Sequence, residues 1–562
     1  MSSRLSRHAR QAMSRVLEVP SPSTDFVVHK GVRVPMRDGV ELLADHYQPL
    51  TATPAGTLLV RAPYGRRFPF TLSFGSVYAS RGYHVIFQSV RGTFGSGGEF
   101  TPMVNEIADG ADTVAWLREQ SWFTGTFATV GLSYLGFTQW ALLVDPPAEL
   151  AAAIITVGPH DFAESSWGTG AFSLNDFLGW SDMVAHQEEP SLVRMLARQA
   201  TAGRRVTTAA LDLPLSTGGR TLLGEGAPWY ESWLRPPQDD PEHWQRLAAT
   251  AALDRTDVPV LLFSGWQDLF LEQTLAQYRR LRDRGVEVAL TFGSWTHTQV
   301  MTRGGATVLR ETLDWLSTHL GGAPTTRRHP VHIHIHRAAD DGWVELDDWP
   351  PDPTHHTLYP RAGGALAQTP GGGHLMFTYQ PADPTPTVGG RLLSPDGGYR
   401  DDSALADRAD VLAFTGEPLP ADLYVVGTPV VELAHRADNP HHDVFVRISE
   451  VDAKGRSYNV SDGYRRYAGD SASEQVSIET DAVAHRFAAG SRIRLLVAGG
   501  SHPRYARNLG TGDPAVSGTA MRAATHTVAF GEQTRVILPT GSRRQPTDRR
   551  TRSPMALNVS GS

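Results

Sequence analysis

Phe127-Ala-Thr-Val130-Gly131-Leu132-Ser133-Tyr134-Leu135-Gly136 is a short apolar run that breaks at a glycine, presents a serine and carries on into helix-forming residues. Such a passage holds the serine in a strained backbone conformation that only small neighbours leave room for. It lifts the hydroxyl above a sheet and aims the next backbone N–H at a developing oxyanion. The usual short form has glycine two residues to either side of the serine, whereas here Leu135 takes the second place and Gly136 follows it. Read alone, the turn fits a nucleophile and an ordinary strand-turn-helix with an incidental serine equally well.

Two later segments repeat the pattern of an apolar strand broken at a glycine. Val258-Pro-Val-Leu-Leu-Phe-Ser-Gly265-Trp-Gln-Asp268 delivers an aspartate, and Val288-Ala-Leu-Thr-Phe-Gly293-Ser-Trp-Thr-His297 delivers a histidine. Each side chain should reach the carboxyl edge of a parallel sheet, beside Ser133. A loop aspartate is usually a cap and a lone histidine is usually structural. Serine, acid and histidine in that chain order, each after a strand and a glycine, make the arrangement used by α/β-hydrolases. Upstream, Leu58-Leu-Val-Arg61-Ala-Pro-Tyr64 is a buried-type strand ending where that fold supplies the second half of its oxyanion hole, and a tyrosine hydroxyl can donate there.

Arg61-Ala-Pro-Tyr64, Arg91-Gly92 with Ser96, Gly131-Leu-Ser133-Tyr-Leu-Gly136, Gly265-Trp-Gln-Asp268 and Gly293-Ser-Trp-Thr-His297 together resemble the bacterial cocaine esterase-like (CocE/NonD) group of α/β-hydrolases. That group is classed with the Xaa-Pro dipeptidyl-peptidases and includes α-amino acid ester hydrolases and glutaryl acylases. The resemblance runs from about residue 25 to about residue 540. It implies that Ser133 is the nucleophile, His297 the general base and Asp268 the carboxylate that orients the imidazole. The Tyr64 hydroxyl and the Tyr134 backbone N–H would form the oxyanion hole, and Trp167, Trp180 and Phe270 would line the substrate pocket. One departure is visible: relatives typically read Gln-Asp before the Arg-Gly pair, and this chain has Gln88-Ser89. That aspartate lies outside the triad, so Ser89 puts local support in question rather than the chemistry.

Composition agrees with a large globular enzyme. At 562 residues the chain is too long for one core, and 40% hydrophobic with 20% charged residues are ordinary globular values. A formal charge of -7 argues against a nucleic-acid binder. The absence of cysteine excludes disulfides, thiolate metal sites and a cysteine nucleophile. Met1 to Pro20 carries Arg4, Arg7, Arg10 and Arg15 but no continuous apolar core, and no stretch approaches a membrane span, so a cytoplasmic protein is expected. A homodimer is left open by the residues.

The fold class expected is α/β: a doubly wound hydrolase sheet with an inserted helical cap and a C-terminal all-β jelly roll. After an N-terminal extension (1–23), strands alternate with helices over 24–158 and resume over 250–353. Between them, 159–249 loses the strand signal and becomes rich in helix formers and large aromatics, where hydrolases carry a cap. From 354 to 540 short strands are separated by turn clusters such as Gly371-Gly-Gly373 and Pro395-Asp-Gly-Gly398, and a polar tail (541–562) is expected to be disordered. The three alternating histidines of Val331-His332-Ile-His334-Ile-His336 share a strand face, a pattern open to zinc. No carboxylate or cysteine stands near at helical spacing, so no metal is expected and the strand reads as an edge with a wet polar face.

These residues predict a serine hydrolase that cleaves a small-molecule ester, short peptide or amide through an acyl-enzyme, with no metal or organic cofactor. An Xaa-Pro dipeptidyl-peptidase or an α-amino acid ester hydrolase would need a carboxylate for the substrate ammonium, and Glu164, Asp176, Asp182, Glu188 and Glu189 are available in the cap. An alternative of another class is a carbohydrate-binding protein whose hydrolase domain is inactive.

Overall fold

In a computed structural model, residues 7–189, 191–469 and 474–541 are described. The tail from 542 onward lies outside them. Ten strands build the first sheet: β1 (Phe26–Pro35), β2 (Glu41–Pro49), β3 (Gly56–Ala62), β4 (Tyr83–Ser89), β5 (Phe127–Leu132), β6 (Leu150–Thr156), β7 (Val260–Gln267), β8 (Val288–Thr296), β9 (Val331–His334) and β10 (Trp343–Leu346). Their spatial order is β1-β2-β4-β3-β5-β6-β7-β8-β9-β10. From β4 through β9 all neighbours run parallel, while β1, β2 and β10 are antiparallel to theirs.

The central strands are apolar on both faces, as a doubly covered parallel sheet demands. Leu58, Val60, Val85, Phe87, Ile154, Leu261 and Phe263 pack into a core on one side with helix Gly305–His319. The alternate residues Leu59, Ile86, Ile155, Val260 and Leu262 pack on the other side against helices Glu106–Arg118, Tyr134–Leu143 and Leu271–Asp283. The chain steps from β3 to β4 on one flank and returns to place β5 on the other. The connections after β3 and β5 therefore diverge at their carboxyl ends and open a crevice there.

Between β6 and β7 the described elements are helical, chiefly Leu174–Ala185, Leu192–Ala210 and Leu215–Leu223 with shorter turns at Phe162–Trp167 and Tyr230–Trp233. Aromatic contacts knit this layer together: Phe162 lies 4.4 Å from Trp233 and 4.7 Å from Phe177 between ring centroids. From Thr354 to Thr540 the described residues form thirteen strands of an all-β sandwich. Its core joins Val431, Leu433, Val528, Val536 and Leu538 of one sheet to Val446, Ile448, Val460, Leu495 and Val497 of the other. The sandwich reaches the hydrolase sheet where Gln267, at the end of β7, donates its amide to the Val460 carbonyl at 3.2 Å.

The histidine strand departs from expectation. It is not an edge, because β10 pairs with it residue for residue from Trp343 opposite His334 to Leu346 opposite Val331. Each histidine also has a protein partner. His332 lies 3.2 Å from Glu311, His334 lies 2.9 Å from the Ser294 hydroxyl, and His336 stacks on Tyr399 with ring centroids 3.6 Å apart. No helix among the described residues is long and apolar enough to cross a membrane.

Candidate active site

β5 ends at Leu132, and Ser133 follows with φ 58° and ψ -122° as the residue that caps helix Tyr134–Leu143. A non-glycine residue at positive φ is costly and persists only where its surroundings enforce it. Two close approaches do so. A Cβ on Gly131 would lie 2.4 Å from the Leu135 Cβ, and one on Gly136 would lie 2.5 Å from the Cα of Gly158. Leu135, in the place where the short motif has glycine, is fully buried in the core on its own side of the sheet. The second glycine is needed one residue later because that is where the helix touches the segment leaving β6.

The acid and the histidine arrive together because β7 and β8 are neighbours. Gln267 pairs with Thr296, so the next residues, Asp268 and His297, leave adjacent strands at one level. A bulge between Gly265 and Gln267 sets this register, and it requires Gly265, whose Cβ would sit 2.2 Å from the Trp295 carbonyl oxygen. The His297 Nδ1–H donates to Asp268 Oδ1 at 2.6 Å, the tautomer that leaves Nε2 free to accept from the Ser133 hydroxyl at 3.0 Å. Asp268 is fully buried, and its Oδ2 accepts from the Ser264 hydroxyl (3.1 Å) and the Phe270 N–H (3.0 Å). Phe270 stands edge-on to the His297 ring, 5.5 Å away.

Across the crevice, Tyr64 follows β3. It lines the same cavity as Ser133, and its hydroxyl accepts the Trp180 indole N–H at 3.0 Å, while burial pushes the phenol above its ordinary pKa, with Trp180 and Ser133 opposing. The Tyr134 N–H opens its helix, so it has no partner inside it and sits beside the serine. The Tyr134 side chain turns the other way, donating to Glu106 and accepting from the Met103 N–H, both at 2.9 Å. Glu106 is paired in turn with the buried Arg61 at 3.0 Å. Burial raises the Glu106 carboxyl, with Arg61 opposing. Glu106 and Met103 escaped the sequence reading, although an arginine inside an apolar strand signals a buried anion nearby. Ser89 is accommodated as well: its hydroxyl meets Arg66, whose charge is balanced by Asp45 at 3.3 Å.

A cavity of about 30 Å³ lies over Ser133 and His297, walled by Tyr64, Tyr134, Phe177, Trp180, Phe270 and Leu393. Trp167 is absent from that wall. It packs 5.5 Å from Phe172 and donates its indole N–H to the Trp233 carbonyl at 3.0 Å, so the structure puts it in the cap's own aromatic core. Of the five cap carboxylates, only Asp176 lines this cavity. Asp182 is taken by Arg198 and Arg205, Glu188 accepts the Phe94 N–H at 2.8 Å, and Glu189 pairs with Arg194 at 3.1 Å. Glu164 lines a neighbouring chamber of about 290 Å³, which shares Asp176 and Leu269 with the small cavity and brings Glu272, Arg391, Asp481 and Arg504 to its walls.

A serine on a strained strand-helix turn, bonded to a histidine that a buried carboxylate holds, at the carboxyl edge of a doubly wound sheet, defines a serine hydrolase of the α/β-hydrolase fold. Residues 38–299 match the model of the X-Pro dipeptidyl-peptidase (S15) family, and residues 325–537 match that of the X-Pro dipeptidyl-peptidase C-terminal non-catalytic domain. The chain is 30% identical to the cocaine esterase of Rhodococcus sp. (strain MB1 Bresler), over 87% of this chain and 93% of the relative. It therefore belongs to the cocaine esterase-like (CocE/NonD), Xaa-Pro dipeptidyl-peptidase-like family of serine hydrolases. The fold is shared with an aminopeptidase from a marine sediment Thaumarchaeota archaeon (TM-score 0.77, 23% identity, 93% of this chain and 98% of that one). An α-amino acid ester hydrolase superposes with a TM-score of 0.75 at 22% identity, again over 93% of this chain and 98% of the other.

Proposed function

We propose that the protein is an acyl esterase in which Ser133 attacks the ester carbonyl and carries the acyl group. The reading rests on one observation above all, the continuous chain from Ser133 Oγ to His297 (3.0 Å) to Asp268 (2.6 Å). His297 takes the serine proton through Nε2 and returns it to the leaving alcohol, and Asp268 keeps the ring in the tautomer that makes this possible. The oxyanion develops between the Tyr64 hydroxyl and the Tyr134 N–H. A small acyl group fits the cavity walled by Phe177, Trp180 and Phe270, and the larger chamber takes the alcohol portion. In this reading residues 159–249 act as a cap, the blocks 24–158 and 250–353 as the hydrolase body, and 354–540 as a buttress that closes the chamber. The enzyme would work in the cytoplasm.

Ser133→Ala should abolish hydrolysis of a p-nitrophenyl acyl ester while circular dichroism and thermal unfolding stay as in the parent; unchanged turnover overturns the assignment. A second reading, in which the substrate carries an ammonium as an aminoacyl ester or an Xaa-Pro peptide does, is favoured by Asp176, which lines both cavities. Rates on an Ala-Pro anilide beside those on an aryl acetate separate the two.

A further inference from the structure

An indole N–H can only donate, and a phenol oxygen offers one O–H and two lone pairs. Trp180 gives its N–H to the Tyr64 oxygen at 3.0 Å. The Tyr64 O–H therefore cannot point back at Trp180, which leaves it to turn into the cavity that Tyr64 and Ser133 both line. That is the direction in which a tetrahedral oxyanion forms. A hydrogen bond accepted by a hydroxyl oxygen also polarises its O–H and makes it a stronger donor.

Trp180 is built to hold this position. It lies in the cap helix Leu174–Ala185 and is buried. It is braced by Trp229 and Trp233 with ring centroids 6.1 and 5.8 Å away. Its ring also stacks parallel to that of Tyr134, with centroids 6.1 Å apart and an angle of 3° between the ring planes. One cap side chain thus touches both residues that supply the hole, Tyr64 through its hydroxyl and Tyr134 through its ring.

We propose that Trp180 is a positioning residue of the oxyanion hole: its indole N–H fixes the rotor of the Tyr64 hydroxyl, so that the hole is complete only when the cap is seated. The inference rests on the reading of Tyr64 as an oxyanion donor and goes beyond it, since a pocket wall needs Trp180 for its shape alone.

The test uses p-nitrophenyl acetate, whose acyl methyl group asks little of the aromatic wall, and four proteins besides the parent. These are Trp180→Phe, Trp180→3-benzothienylalanine (a sulfur isostere with the indole outline and no N–H), Tyr64→Phe, and the double variant Trp180→Phe/Tyr64→Phe. The isostere keeps the packing, so it answers even where the phenylalanine variant folds poorly. Both Trp180 replacements are expected to lower kcat about five- to tenfold, the worth of one ordinary hydrogen bond, with KM moving less than about twofold. Tyr64→Phe should lower kcat by about a hundredfold, and adding Trp180→Phe to it should cost less than about twofold more. Wild-type kcat in the isostere, a loss confined to KM, or an equal loss with and without the Tyr64 hydroxyl would overturn the role of Trp180 and leave Tyr64 standing. Wild-type kcat in Tyr64→Phe would overturn both.

Discussion

Ser133 carries a backbone conformation that its own side chain disfavours, and the residues that enforce it are glycines chosen for contact rather than for flexibility. Gly136 shows this most sharply. Its Cα faces Gly158, and a methyl group there would meet Gly158 Cα at 2.5 Å and an Ile155 methyl at 3.2 Å. Neither neighbour is the tip of a flexible chain, so the helix would have to move off β6. Gly136→Ala should therefore cost about 1–3 kcal/mol of stability, read as a lowered denaturant midpoint, and should reduce kcat more than KM because the Tyr134 N–H shifts with the helix. The strand-turn-helix that presents Ser133 was legible in the sequence from a strand, a glycine and a serine. The reason for the displaced glycine was not, because Gly158 is brought to it by the pairing of β5 with β6, and no local pattern encodes that contact.

At the scale of elements, the meeting of Asp268 and His297 is a matter of two strands ending together. The periodicities of β7 and β8, each broken at glycine, made Asp268 and His297 readable, and their shared level follows from the Gln267–Thr296 pair. Less legible were elements whose pattern is weak. β10 is only four residues long and half-buried along its length, so nothing marked it as the strand that covers the histidines of β9. The cap aromatics were visible as a group, but which of them faces the serine depends on how the helices pack, and Trp167 turned inward while Trp180 faced the site. Because Asp268 is buried and bound by the Ser264 hydroxyl and the Phe270 N–H as well as by His297, an amide in its place would keep the shape and spoil the tautomer. Asp268→Asn should lower kcat by about four orders of magnitude with little change in thermal stability, measured by single-turnover release of p-nitrophenol.

The whole molecule adds what neither strands nor residues contain: a chamber where hydrolase sheet, cap and sandwich meet. Glu164 and Asp176 come from the cap, Glu272 from the helix after Asp268, and Arg391, Asp481 and Arg504 from the sandwich. Residues so far apart in sequence share no local signal, so the chamber could not be read in advance. Burial pushes the carboxyl of the half-exposed Glu164 up to about 7, with Asp161 and Glu272 adding to the effect, and burial likewise raises Asp176 and Glu272. A carboxyl whose folded pKa is raised is neutral below that value and charged above it. The chamber therefore gains negative charge as pH rises through about 7, and a cationic alcohol portion should be preferred more strongly on the alkaline side. Acetylthiocholine and its uncharged 3,3-dimethylbutyl analogue are matched in shape, and any titration of the catalytic groups cancels in the ratio of their kcat/KM values. That ratio should rise about two- to fivefold across this range, the modest worth of a solvent-screened charge pair, and Glu164→Gln should flatten it. A ratio independent of pH in the parent would show that the alcohol portion leaves by another route and that the charged chamber serves only to hold the three layers together.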